Sequence, residues 1–213
     1  MKRFLSTCMV FFSLLVLPAG AVADIMITFD ERGSAPVKFI SAVPLTTEYS
    51  GVTFSGPRSL DGGAILDQGS NFGSLSAYSG LNFLAFNRQA TMNNTGIPTD
   101  PETIVFTDLW KTVSIYAAGG NSMDTFLMQA FDSNDNLVGT ASVTAQGWSL
   151  LTVSSAADNI RKVVLTQSAG DGTFVFDDLS ATDSSAPVAE PASLILLLAG
   201  IAGLAGLRSS RRS

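Results

Sequence analysis

The chain has 213 residues, 46% of them hydrophobic, with 18 acidic against 12 basic side chains, one cysteine and no histidine. The lack of histidine excludes a Ser-His-Asp triad, His-ligated zinc and an imidazole general base. Between Asp24 and Ser185 stand 17 acidic and 7 basic residues, a balance near −10 that argues against nucleic acid or an anionic membrane as an electrostatic partner.

At the N-terminus, Lys2 and Arg3 precede an apolar segment from Cys8 to Leu17, which Pro18 and Gly20 loosen. Ala21-Val22-Ala23 then supplies small residues at the −3 and −1 positions of a cut before Asp24. Residues 1–23 read as a secretory signal peptide. Its removal takes Cys8 away, so the exported chain is expected to lack disulfides and thiol chemistry and to rest on core burial, with or without a metal. Roughly 160 residues follow, enough for one domain, 24–185, that buries about 70% of its unfolded surface.

This domain reads as strand after strand. Ile25 to Phe29, Gly51 to Ser55, Leu81 to Asn87, Lys111 to Ala117, Thr125 to Asp132, Leu137 to Thr144, Trp148 to Val153, Ile160 to Gln167 and Thr173 to Leu179 are short runs rich in Val, Ile, Thr and Phe, bounded by turn residues. Within Lys111 to Ala117, Val113, Ile115 and Ala117 alternate with Thr112, Ser114 and Tyr116, so one face enters a core and the other meets solvent. The expected fold is all-β, an antiparallel two-sheet sandwich with jelly-roll topology. Asp132-Ser133-Asn134-Asp135-Asn136 is predicted to close a hairpin, and Ala145-Gln146-Gly147 to join the next pair of strands. Arg58 to Gly80 and Asn87 to Glu102 read as long polar loops, the usual seat of binding in a sandwich.

Two groups of residues are candidate sites. Asp30-Glu31 ends the first strand and Asp177-Asp178 lies in the last; side by side, these strands would gather oxygens suited to a structural calcium ion. In strict alternation Phe174, Phe176 and Asp178 share one face of the last strand and Val175, Asp177 and Leu179 the other, so one aspartate abuts apolar surface and needs a partner. That partner is a metal or, alternatively, backbone N–H groups, Arg32 or water. Asp132, Asn134 and Asn136 copy the start of an EF-hand loop, but Leu137 replaces its glycine and the sequence reads as a turn. Sugar rings stack on exposed aromatic side chains, which makes Trp110 and Tyr78, near predicted loops, the candidate ligand-binding residues; Trp148, opening a strand, is expected in the core.

The chain closes on Ala189-Glu190-Pro191, an uncharged run from Ala192 to Leu207, and Arg208, Arg211 and Arg212. As a helix the run would reach roughly 24 Å, a short span for a hydrocarbon core of about 30 Å. The arginines would hold its far end in the cytoplasm. Motif, span and basic end, together residues 186–213, resemble the PEP-CTERM sorting signal, with Ala189 where that motif has its first proline. The resemblance implies a transient membrane anchor, recognition by an exosortase-type transpeptidase, and release to the cell surface or extracellular matrix. The strand and turn pattern from Ile27-Thr28-Phe29-Asp30 to Phe176-Asp177-Asp178-Leu179 also resembles the sandwich domains such proteins carry, similar in architecture to galactose-binding-like jelly rolls.

Three functions follow as expectations. The first is an exported, non-catalytic surface or matrix protein. The second is a carbohydrate-binding module for exopolysaccharide, favoured by an exposed Trp110 beside Tyr78 and disfavoured by a buried Trp110. The third is a glycosidase, which needs two carboxyl groups about 5 to 10 Å apart in a cleft.

Overall fold

The computed structural model describes residues 24–43, 45–56, 63–70, 75–85, 101–170 and 174–183. They fall within one compact unit, Val22–Ser185. The expected leader over 1–23 and the expected sorting motif Ala189, Glu190, Pro191, Arg208, Arg211 and Arg212 lie outside the described residues. Among the described residues no helix is long and apolar enough to cross a membrane.

Among the described residues eleven strands form two antiparallel sheets: β1 (Ile25–Ile27), β2 (Val52–Ser55), β3 (Ala64–Asp67), β4 (Asn82–Ala85), β5 (Glu102–Trp110), β6 (Thr112–Ala118), β7 (Asp124–Phe131), β8 (Leu137–Ala145), β9 (Ser149–Ser154), β10 (Ile160–Ala169) and β11 (Val175–Thr182). One sheet runs β3-β4-β11-β6-β9, with β1 also on β11; the other runs β2-β5-β10-β7-β8. From β5 to β11 every connection except the β7–β8 hairpin crosses between sheets, the crossing pattern of a jelly roll. Two of these strands are additions to the reading above. β3 interrupts the stretch from Arg58 to Gly80 expected as loop, and β5 follows the other, its Glu102, Ile104 and Phe106 buried in alternation.

The core forms because the inward positions of both sheets are apolar. Val113, Ile115 and Ala117 of β6 face Leu151 and Val153 of β9 and, across the sandwich, Phe126, Met128 and Val163. Phe126, Phe174 and Phe176 meet edge to face with centroids 5.7 to 6.0 Å apart. A smaller core lies on the opposite side of the first sheet, where Leu66, Phe83, Ala85 and Val175 are covered by Leu75, Ala77 and Trp148. β4 is therefore buried on both faces.

The turns show how local chemistry sets connections. Asp132 Oδ1 accepts the amides of Asn134 and Asn136 at 2.8 and 2.9 Å while Asp135 takes a left-handed φ of 61°, closing the β7–β8 hairpin. Ala145-Gln146-Gly147 does not close a hairpin. It carries the chain to the other sheet, where β9 pairs with β6. Replacing Phe176 by alanine removes one member of the aromatic triad, and chemical denaturation is expected to show a loss of about 3 to 5 kcal/mol.

Candidate functional site

β11 holds β6 along one edge and, on the other, first β4 and then β1: Val175 and Phe176 pair with β4, whereas Leu179, Ser180 and Ala181 pair with β1. The two partners meet at Asp177 and Asp178. There the register against β6 gains one residue, and Asp178 adopts φ 48°. Such a bulge resets the alternation. Leu179 consequently turns into the core with Phe174 and Phe176, and Asp178 leaves the face that strict alternation assigns it.

The bulge grips the segment that leads into β4. Asp177 is fully buried; its Oδ2 accepts the amides of Tyr78 and Ser79 at 2.8 and 3.3 Å, and its Oδ1 the amide of Asp178 at 2.8 Å. Asp178 Oδ1 accepts the Ser79 hydroxyl at 2.6 Å. From the other end of the chain, Asp30 Oδ1 accepts the amides of Leu81 and Asn82 at 2.9 and 3.1 Å. Asn82 Nδ2 donates to the carbonyls of Phe29 and Gly33. Gly80 is required here: its φ is 56°, and a Cβ would sit 1.8 Å from Asp30 Oδ2.

Of the four carboxylates expected around calcium, Asp30, Asp177 and Asp178 converge on residues 78–82, but Glu31 turns away to the Thr28 amide and the Tyr49 hydroxyl. The donor set does not fit the ion. Calcium takes about six to eight oxygens, whereas most of these oxygens face N–H and O–H donors, and among the described residues no three acidic groups gather to hold a metal. Burial pushes the Asp177 carboxyl up to about 7 against the downward pull of its amide donors. Burial and Glu31 likewise push up the Tyr49 phenol.

The gripped segment presents an aromatic group on the outside of the sheet. Tyr78, 44% exposed, stacks on Tyr116 of β6 with centroids 3.6 Å apart and planes 19° apart. Trp148 meets Tyr78 edge to face at 6.2 Å and donates its indole N–H to the Ser76 carbonyl at 2.8 Å. The hydrogen bond with Tyr116 pushes the Tyr78 phenol above its ordinary range, so it stays neutral. Below the aromatics the outer face continues in hydroxyls. Ser114 bonds Thr152 and Thr112 bonds Ser154, each at 3.0 Å, with Ser180 and Thr182 alongside on β11. From Tyr116 to Thr112 this strip spans roughly 13 Å at about 3.4 Å per residue.

The aromatic expectations exchange places. Trp110 is 1% exposed and packs against Phe106 inside the sandwich, so it is no ligand platform, and the criterion set on it counts against carbohydrate binding at Trp110. Trp148, expected in the core, is half-buried on the outer face. Tyr78 alone stands where the ligand reading needs it. Tyr116 was absent from the candidates although its position in the Thr112, Ser114, Tyr116 alternation already placed it on the solvent side.

No protein-family model and no curated protein sequence matches the chain. Among solved structures it is similar to the K2 cleaved adhesin domain of Lys-gingipain (19% identity, 75% of this chain and 99% of that one, TM-score 0.45). The K1 cleaved adhesin domain of Lys-gingipain from Porphyromonas gingivalis gives 12% identity over 77% and 100% of the two chains, TM-score 0.47. A xylan-binding domain from CBM 22 gives 17% identity over 71% and 97%, TM-score 0.39.

Because the folded Asp177 carboxyl holds its proton more tightly than the unfolded one, its stabilising contribution is complete below about pH 4 and is lost as pH rises through about 7. Urea denaturation from pH 4 to 7 should therefore show Asp177→Asn gaining steadily on the parent, by about 1 kcal/mol per pH unit in the middle of that range. Gly80→Ala should lower the melting midpoint and, in near-ultraviolet circular dichroism, disturb the Tyr78–Tyr116 pair, because the added methyl meets Asp30.

Proposed function

We propose that this chain is an exported, non-catalytic surface or matrix protein whose sandwich binds polysaccharide on the outer face of the β9-β6-β11 sheet. The observation that carries the reading is the Tyr78–Tyr116–Trp148 group, standing at the head of a strip of hydroxyls. An exposed ring offers a sugar a flat apolar face, and side-chain hydroxyls both donate and accept toward its hydroxyl groups. The platform is set before any ligand arrives, since the amides of Tyr78 and Ser79 are bonded to Asp177 and the Trp148 indole to the Ser76 carbonyl; little ordering cost is left for binding.

Export and surface placement are supported by the order of parts in the sequence: basic residues and an apolar segment before Ala21-Val22-Ala23, and the Ala189-Glu190-Pro191 motif, apolar run and Arg208, Arg211, Arg212 at the other end. In this reading the tail anchors the chain until an exosortase-type transpeptidase removes it. A glycosidase gains no support from the acidic pair at the bulge. Asp177 is buried and committed to three amides, and Asp30 Oδ1 accepts two more, so the carboxyls grouped with Asp178 serve to hold residues 78–82.

Affinity electrophoresis through gels containing neutral and acidic polysaccharides tests the reading. The protein should be retarded by at least one polysaccharide, and Tyr78→Ala should weaken that retardation by about three- to tenfold with the fold intact, the worth of one aromatic stack. Retardation unchanged in Tyr78→Ala, Tyr116→Ala and Trp148→Ala together would place binding elsewhere.

A further inference from the structure

Asp178, at the bulge, holds on its carboxylate the hydroxyl of Ser79, the residue that follows Tyr78 of the aromatic platform. Its backbone sits in the left-handed region, φ 48°, which a non-glycine residue adopts at a cost, and the consequence is to re-aim this carboxylate. Oδ1 is fixed by the Ser79 hydroxyl, whose residue adjoins Tyr78, while Oδ2 has no hydrogen bond among the described residues and the side chain remains partly open to solvent. Its charge is felt at the Tyr78 phenol. Along the strip that continues from the platform, Ser114, Thr152, Thr112 and Ser154 are uncharged.

We propose that Asp178 is the specificity-determining residue of the outer-face site, accepting hydrogen bonds from hydroxyls of a neutral sugar stacked on Tyr78 and rejecting uronic or sulfated sugars by charge. This rests on the polysaccharide-binding reading and names its ligand class. A fixed carboxylate accepts from hydroxyl donors through charge-assisted bonds, stronger than those of a neutral acceptor. The same charge beside a stacked ring opposes a carboxylate or sulfate on that ring. Among the described residues, Ser114, Thr152, Thr112 and Ser154 of the strip offer an anionic glycan hydroxyls and no cation, so rejection by like charge does the discriminating.

The test compares binding of cellohexaose and of a hexagalacturonate of equal length to the full chain and to Asp178→Asn, by calorimetry at low salt. Asparagine tolerates the left-handed backbone and keeps the shape, so the variant is expected to fold with an unchanged circular dichroism spectrum. The parent should bind the neutral hexamer and reject the uronate; Asp178→Asn should lose about five- to tenfold toward the neutral hexamer and narrow the gap between the two ligands. A loss of neutral binding with the preference unchanged would make Asp178 a structural residue and overturn the inference. Salt gives a reading free of the variant. Raising ionic strength from about 0.01 to 0.15 M shortens the screening length from about 30 to 8 Å, and should strengthen uronate binding to the parent while leaving neutral binding flat. Uronate binding that weakens with salt overturns the charge argument and leaves the polysaccharide reading standing; binding of neither hexamer overturns both.

Discussion

A carboxylate taken wholly out of water needs donors or a counter-charge, and at Asp177 three backbone amides supply the donors. Much of the candidate site depends on that arrangement. Residues 76–82 lie across the small outer core, where a segment leaving one strand for another would otherwise leave amides unpaired. Asp30 and Asp177, from opposite ends of the domain, take up those amides and set the segment in one conformation. The aromatic platform is the outcome of this seating, since Tyr78 reaches Tyr116 only because its own amide is bonded one layer below.

The bulge in β11 serves two purposes with one extra residue. It returns Leu179 and Ala181 to the core after Phe174 and Phe176, preserving apolar burial along the whole strand. It also marks the point where β11 exchanges β4 for β1 as its neighbour, leaving room for two aspartates between them. The strain of a left-handed Asp178 is of order 1 to 3 kcal/mol and is held in place by the pairing on either side.

Charge separates the acidic residues by task. Asp30 and Asp177 are consumed inside the molecule, Glu31 is held by Thr28 and Tyr49, and Asp132 closes a hairpin. Among the described residues the ion pairs of Lys111 with Asp158 at 3.7 Å and Lys162 with Asp135 at 2.6 Å are of the exposed kind that contribute little. Stability therefore comes from the apolar layers between and outside the sheets.

The sequence by itself determined the class of the fold and much of its order. Period-two patterning in Val113, Ile115 and Ala117, and turn chemistry in Asp132 to Asn136, are local properties, and local properties can be read from neighbours in the chain. It also brought Asp30 and Asp177 forward as a pair, because a carboxylate in an apolar strand calls for a partner. What that partner is lay beyond it: the amides of Tyr78 and Leu81 stand some 50 to 100 positions away along the chain, a distance of 99 for Tyr78 and Asp177. The same limit explains the two tryptophans. Whether Trp110 or Trp148 faces inward depends on which sheet each strand joins, and a strand's sequence specifies two faces without saying what will cover either. β3 is short and was lost among turn residues for a related reason, since Ala64 and Leu66 need the covering segment at Leu75 and Ala77 before their burial makes sense. Tertiary structure decided which oxygens meet hydrogen and which meet solvent, and so set Asp30, Asp177 and Asp178 around the segment that carries Tyr78.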